Sequence, residues 1–159
     1  MKIQSIEVIP LAASFRSTFR FGTTDRSTSP NVVVILRTDD GAVGFGEACP
    51  VLAFTSETQH SIVELVEQRV APVLAGRDPE HRLAILHDLT LVLKSAPFTV
   101  TAVDTALLDL LGHALSVPVH TLLAGEFRDS IEVHGSVGWD EDPVKMVNLR
   151  LSRPSSTGG

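Results

Sequence analysis

The stretch AVDTALLDLLGHAL, Ala102 to Leu115, is apolar around most of its circumference when wound as a helix. Such a helix has to be buried between layers, so the remaining sequence must supply partners on more than one side of it. Both kinds of partner precede it in the chain. KIQSIEVIPL places Ile3, Ile6 and Val8 among polar neighbours, and Pro10 suits an edge strand or a strand end. NVVVILRT, Asn31 to Thr38, is a β-branched run, and Asp39-Asp40-Gly41 supplies hairpin turn chemistry. AVGFGEACP then returns as a third strand, in which Gly44 and Gly46 mark a close backbone approach or a bulge. The pattern predicts a three-stranded antiparallel meander.

From residue 56 the period becomes helical. Ser56-x-x-Gln59 predicts a capping box, followed by Ile62, Val66, Val70 and Val73 on one face. Gly76 is the expected stop, with Pro72 a candidate kink. Asp78-Pro79 starts a second helix, carried inward by Leu86, Leu89 and Leu93. Thr101-x-x-Asp104 opens the third, with Val103, Leu107, Leu110 and Ala114 inward and Asp104 in a capping and dipole role. SVPVHTLLAG gives a break at Pro118, a short helix and a glycine stop. The fold class is therefore α+β, the meander followed by a three- to four-helix bundle. Beyond the linker GEFRDS, IEVHGSVGW alternates as a strand from Ile131, and DEDPVKMV starts a helix with Asp142 capping and Pro143 first. His134 and Trp139 flank that strand.

Composition narrows the function. The formal net charge of -6 argues against a general nucleic-acid binder, which needs a basic excess to displace counterions. No apolar run approaches the roughly 20 residues of a membrane span, and the N-terminus has no signal-peptide pattern. Cys49 is the single cysteine, so neither an intrachain disulfide nor a cysteine zinc site can form. A cytoplasmic setting is expected, with Cys49 a buried bystander. None of the six histidines makes a His-x-x-x-His pair, so no metal site is expected from them. One segment stands out, FRSTFRFG, expected to be a loop. If locally extended, it sends Phe15, Phe19 and Phe21 one way and Arg16 and Arg20 the other.

DDGAVGFGEACP, TAVDTALLDLLGHALSVPVHTLLAG and FRDSIEVHGSVG, in unbroken order, carry a likeness. From about residue 2 to residue 147 the chain resembles the N-terminal capping domain of the enolase superfamily, in its muconate-lactonizing and mandelate-racemase branch. PLAASFRSTFR, VVVILRTDDGAVGFGEACPVLAFTSET and AILHDL look most like dipeptide epimerases of the Ala-Glu type. Muconate cycloisomerases, succinylbenzoate synthases and N-acyl amino acid racemases share the cap.

The resemblance implies a capping domain over residues 1–126 and, over 127–159, the first β-α unit of a truncated (β/α) barrel with a flexible tail. It implies Mg²⁺-dependent proton abstraction α to a carboxylate, the ion holding charge that a neutral-pH base could not create unaided. The base lysines and acidic metal ligands of such enzymes sit on later barrel strands, and a whole barrel takes roughly 200 residues or more. No catalytic residue and no metal ligand is therefore assigned to this chain, which is expected to be inactive alone. NLRLSRPSSTGG departs from the family pattern, as after a reading-frame change or at a cloning boundary near Asn148.

The resemblance also places Phe15 to Phe21 where the family's first covering loop meets the far end of the substrate. Arg20 falls at the position that meets a glutamyl carboxylate in Ala-Glu epimerases. Arg16 is a weaker candidate, and Phe15 and Phe19 would exclude water. Pro50 to Thr58 would be a second covering loop with Phe54 and Thr55 at its tip; the alternative for Phe54 is a hydrophobic staple. The implied partner is a small anionic, dipeptide-like carboxylate once a barrel is supplied, with a homo-oligomer possible and no nucleic acid or membrane. Glu47 and Asp109 are expected in structural roles. The competing reading is a stand-alone binding or assembly module without enzymatic activity, whose orphan strand Ile131 to Val137 would pair with another chain.

Overall fold

Alternation of β-branched and polar residues sets up the sheet. In the computed structural model, which describes residues 1–21, 24–133 and 142–151, it has three strands, β1 (Ile3–Phe21), β2 (Thr24–Thr38) and β3 (Val43–Ala48), in the order β1-β2-β3. β2 and β3 pair antiparallel from Val32↔Ala48 to Arg37↔Val43. Val32, Val34 and Leu36 share one face and are fully buried, as the period of two requires. The turn between the strands closes on Thr38, whose N–H donates to Ala42 O at 3.0 Å, with Gly41 in the left-handed region at φ 90°. β1 is longer than the pattern suggested. Pro10 does not end it, and FRSTFRF belongs to it rather than to a loop.

Contacts divide the chain into two units, Met1–Ala12 with Pro30–Glu126, and Ala13–Ser29 with Phe127–Gly159. The first holds the core. α1 (Gln59–Leu65) passes through a π-helical turn at Val66–Val70 into α2 (Ala71–Leu74). Its capping box is Thr58 with Ser61, not Ser56 with Gln59: Ser61 N–H donates to Thr58 Oγ1 at 3.1 Å and Thr58 N–H to Ser61 Oγ at 2.9 Å. Gln59 is already helical, and its side-chain amide donates to Leu11 O and Asn31 O at 2.7 and 2.8 Å, bridging β1 and β2. The fourth inward residue is Leu74, fully buried, while Val73 is only partly so. Pro72 lies inside this continuous run, directly after the π-helical turn, and has no N–H to give to the preceding turn, so the candidate kink coincides with the departure from α geometry. Gly76 ends the segment at φ 71°, its N–H on Ile3 O.

Asp78 caps as expected, accepting from Glu80 N–H at 3.1 Å, but the turn Pro79–His81 is 3₁₀ and leads into α3 (Arg82–Leu93). α3 buries Ile85, Leu89 and Leu93. α4 runs from Pro97 to Leu115, so Thr101 and Asp104 lie inside it instead of opening it. Asp104 is no cap: it takes a bidentate pair from Arg82, Nε to Oδ1 at 2.5 Å and Nη2 to Oδ2 at 2.8 Å. Val103, Leu107 and Leu110 are fully buried, whereas Ala114 is exposed. By length and composition α4 is apolar enough to cross a bilayer, contrary to the sequence expectation. Its packing against β3, α1 and α3 makes it the central core helix.

What lets α4 lie so close to the sheet is the pair of glycines in β3. A Cβ on Gly44 would meet Ala106 O and Leu110, and one on Gly46 would meet Ala102 O and Ala106 N. This is the close approach that the two glycines implied, with no bulge. α5 (Val119–Leu122) follows after Ser116 turns left-handed at φ 56°.

In the second unit, Ile131–Val133 carry no strand, and the rest of the expected strand, with His134 and Trp139, lies outside the described residues. α6 (Pro143–Leu151) starts as expected, Val144 N–H donating to Asp142 Oδ1 at 2.9 Å.

Candidate functional site

The sequence singled out two segments, and each has a defined geometry. The first is the far half of the β1–β2 hairpin. Because β1 stays extended through Phe21, its side chains alternate across the ribbon, with Phe15 and Phe19 on one side and Arg16 and Arg20 on the other. Phe15 and Arg16 are exposed and Phe19 is half-buried. Arg20 forks onto Asp25 across the hairpin, Nε to Oδ1 at 2.5 Å and Nη2 to Oδ2 at 2.9 Å. Two parallel charge-assisted bonds of this kind are how a guanidinium reads a planar carboxylate. The hydrogen bonding from Arg20 holds the Asp25 carboxyl below its ordinary range. A folded-state pKa lowered in this way keeps the pair intact above the usual aspartate value, about 3.9, and lost only as acid titrates Asp25. Arg26, on β2, lies over the Phe15 ring with its guanidinium carbon 5.7 Å from the centroid.

The second segment is Pro50 to Thr58. A tight turn closes on Val51, whose carbonyl accepts from Phe54 N–H at 2.8 Å and Thr55 N–H at 3.2 Å. Leu52 and Phe54 project from it, Phe54 with 69% of its surface exposed. At that exposure, and with the cap of α1 at Thr58, Phe54 is not a hydrophobic staple. Thr55 looks inward instead, its hydroxyl accepting from Glu57 N–H at 3.1 Å.

Glu57 is the residue sequence reasoning missed. It is only 4% exposed, and its carboxylate accepts from Phe98 N–H at 2.8 Å, Thr99 N–H at 2.9 Å and Thr99 Oγ1 at 2.7 Å. The two N–H groups are orphan donors of the first turn of α4, so Glu57 caps that helix from 41 residues away. The foot of the loop is thereby fixed to the core helix. The available signal was negative: Ala96 before Pro97 offers no side-chain cap.

The remaining candidates are structural. Glu47 accepts from Asn31 Nδ2 across the β2–β3 pair. Asp109 accepts from the Phe45 N–H at 2.8 Å and ties β3 to α4. Cys49, expected to be buried, is only part-buried and is in no disulfide. Among the described residues no three His, Cys, Asp or Glu side chains converge, so these residues do not compose a magnesium site.

With strands, glycine-backed core helix and hairpin in place, comparison with known proteins becomes decisive. The family described as mandelate racemase / muconate lactonizing enzyme, N-terminal domain, matches residues 5–124. The chain belongs to this family. It is thus an N-terminal domain of the muconate-lactonizing and mandelate-racemase branch of the enolase superfamily. Muconate cycloisomerase 1 of Rhodococcus opacus is 34% identical over 140 residues, 87% of this chain and 38% of that protein. The L-Ala-D/L-Glu epimerase of Bacillus subtilis is 32% identical over 86% of this chain and 37% of its own length. Its substrate-liganded structure superposes with a TM-score of 0.87 over 94% of this chain and 41% of that one, at 31% identity. The N-succinyl Arg/Lys racemase of Bacillus cereus superposes at 0.91, with 26% identity, over 96% of this chain and 41% of that one. The chain therefore spans about two fifths of the length of the relatives it matches.

Proposed function

We propose that the chain serves as the substrate-specificity cap of an enolase-superfamily isomerase of the epimerase, racemase or cycloisomerase kind. Residues 1–126 form the cap, and residues 127–159 begin a (β/α) barrel domain that carries the chemistry. Mg²⁺ in such a barrel stabilises the charge created when a proton is removed α to a carboxylate. This chain's own part is selection and enclosure. Arg20 meets the far carboxylate of a dipeptide-like substrate, Phe15 and Phe19 exclude water, and Phe54 supplies an apolar wall on the second loop. Arg16 adds charge nearby.

The observation that carries this reading is the Arg20 fork. In this chain the guanidinium already holds one carboxylate through two bonds, the mode that an incoming glutamyl side chain would adopt by displacing Asp25. A second reading, a stand-alone assembly module, draws on the exposure of Phe127, Ile131 and Val133, 90, 76 and 84% respectively.

The test grafts residues 1–126 onto the barrel of the Bacillus subtilis epimerase and measures kcat/KM on Ala-Glu against Ala-Leu. The graft is expected to prefer the acidic dipeptide, and Arg20→Gln to erase that preference by about tenfold or more. An unchanged preference in Arg20→Gln would remove the assigned role. Solvent deuterium incorporation into dipeptides by the ungrafted chain with Mg²⁺ would refute the division of labour.

A further inference from the structure

The hairpin between Ala13 and Ser29 carries three arginines and a single aspartate, on a chain whose net charge is -6. That aspartate, Asp25, is engaged by Arg20 through both of its oxygens. Arg26 lies over the Phe15 ring, and its Nη2 is buried with no hydrogen-bond acceptor among the described residues. A ring face attracts a cation but offers nothing to N–H bonds that lie in the guanidinium plane. Arginine cannot escape the cost of burial by losing its proton, and a buried donor left without an acceptor is among the more expensive defects of a folded protein. With three arginines and one aspartate on the hairpin, an anionic acceptor suits the local excess of positive charge.

We infer that Arg26, on its Phe15 platform, is a second carboxylate-binding residue of this chain, separate from Arg20. The inference rests on the reading of the hairpin as a substrate-selecting segment and names a residue which that reading does not use. Phe15 shields one face of the guanidinium from water, so an in-plane bond to a carboxylate oxygen is stronger than at an open surface. Asp25 occupies Arg20, so Arg26 and the exposed Arg16 can take a carboxylate without first breaking that ion pair, and Arg26 is the one held on a ring face. A substrate bearing two carboxylates, or one carboxylate handed from Arg26 to Arg20, suits this arrangement.

The test uses the full chain, labelled with ¹⁵N, titrated with glutarate while the arginine Nε–Hε signals are followed. Arg26 is expected to shift saturably, and Arg26→Gln to weaken glutarate binding about tenfold. Arg26→Lys keeps the charge without the planar fork, so it is expected to weaken binding several-fold; it decides the matter if Arg26→Gln disturbs the amide spectrum. Wild-type affinity in a folded Arg26→Gln or Arg26→Lys chain would overturn the inference, as would the absence of any saturable Arg26 shift. If Arg20→Gln abolishes binding and Arg26→Gln does not, the inference falls and the Arg20 assignment stands. If Arg26→Gln abolishes it and Arg20→Gln does not, the inference holds and the Arg20 role falls.

Discussion

Glu57 shows how much one buried carboxylate can organise. Its oxygens take the N–H groups of Phe98 and Thr99, and no local residue can replace them, since the position before Pro97 is an alanine. Glu57→Ala leaves those donors buried or half-buried without a partner, a cost of about 3 kcal/mol; urea unfolding of the chain measures it. A loss below about 0.5 kcal/mol would mean that solvent reaches the helix end. Glu57 was not legible in advance because its partners lie 41 and 42 residues away, and capping rules look only a few residues to either side. Of the residues singled out from the sequence, Arg20 is part-buried on Asp25 and Phe54 is exposed. Asp25 was not considered, because a segment read as a loop suggested no cross-strand neighbour.

At the scale of elements, the β3–α4 contact governs the cap. Gly44 and Gly46 face Ala102, Ala106 and Leu110, and a side chain at either position would run into helix backbone. Gly46→Ala is expected to destabilise the chain by about 3 kcal/mol, because a helix backbone cannot move aside as a side chain can. A thermal or urea midpoint equal to the parent's would show that the helix slides freely on the sheet. Element types were readable from periodicity: β2, β3 and the apolar α4 all lie where alternation and helical spacing put them. Their ends were not. α4 begins four residues before Thr101 because a distant carboxylate caps it, and β1 continues past Pro10 because the hairpin gives it a partner strand.

At the largest scale, the core of the first unit is one connected set joining β2, the helices α1 to α4 and the first residues of β1, and this unity was foreshadowed by a helix with no polar side. One oddity within it concerns the buried series Ile62, Val66, Val70 and Leu74, spaced four residues apart throughout. At about 100° per residue, steps of four drift around a regular helix by about 40° each. The wide turn at Val66–Val70 absorbs that drift. The wide turn thus lets four apolar residues at a uniform spacing of four reach one core. Deleting Gln68 would leave apolar steps of four, three and four, which an ordinary helix aligns without help. The shortened chain is expected to melt within about 4 °C of its parent; a collapse in melting temperature would mean that the wide turn is indispensable.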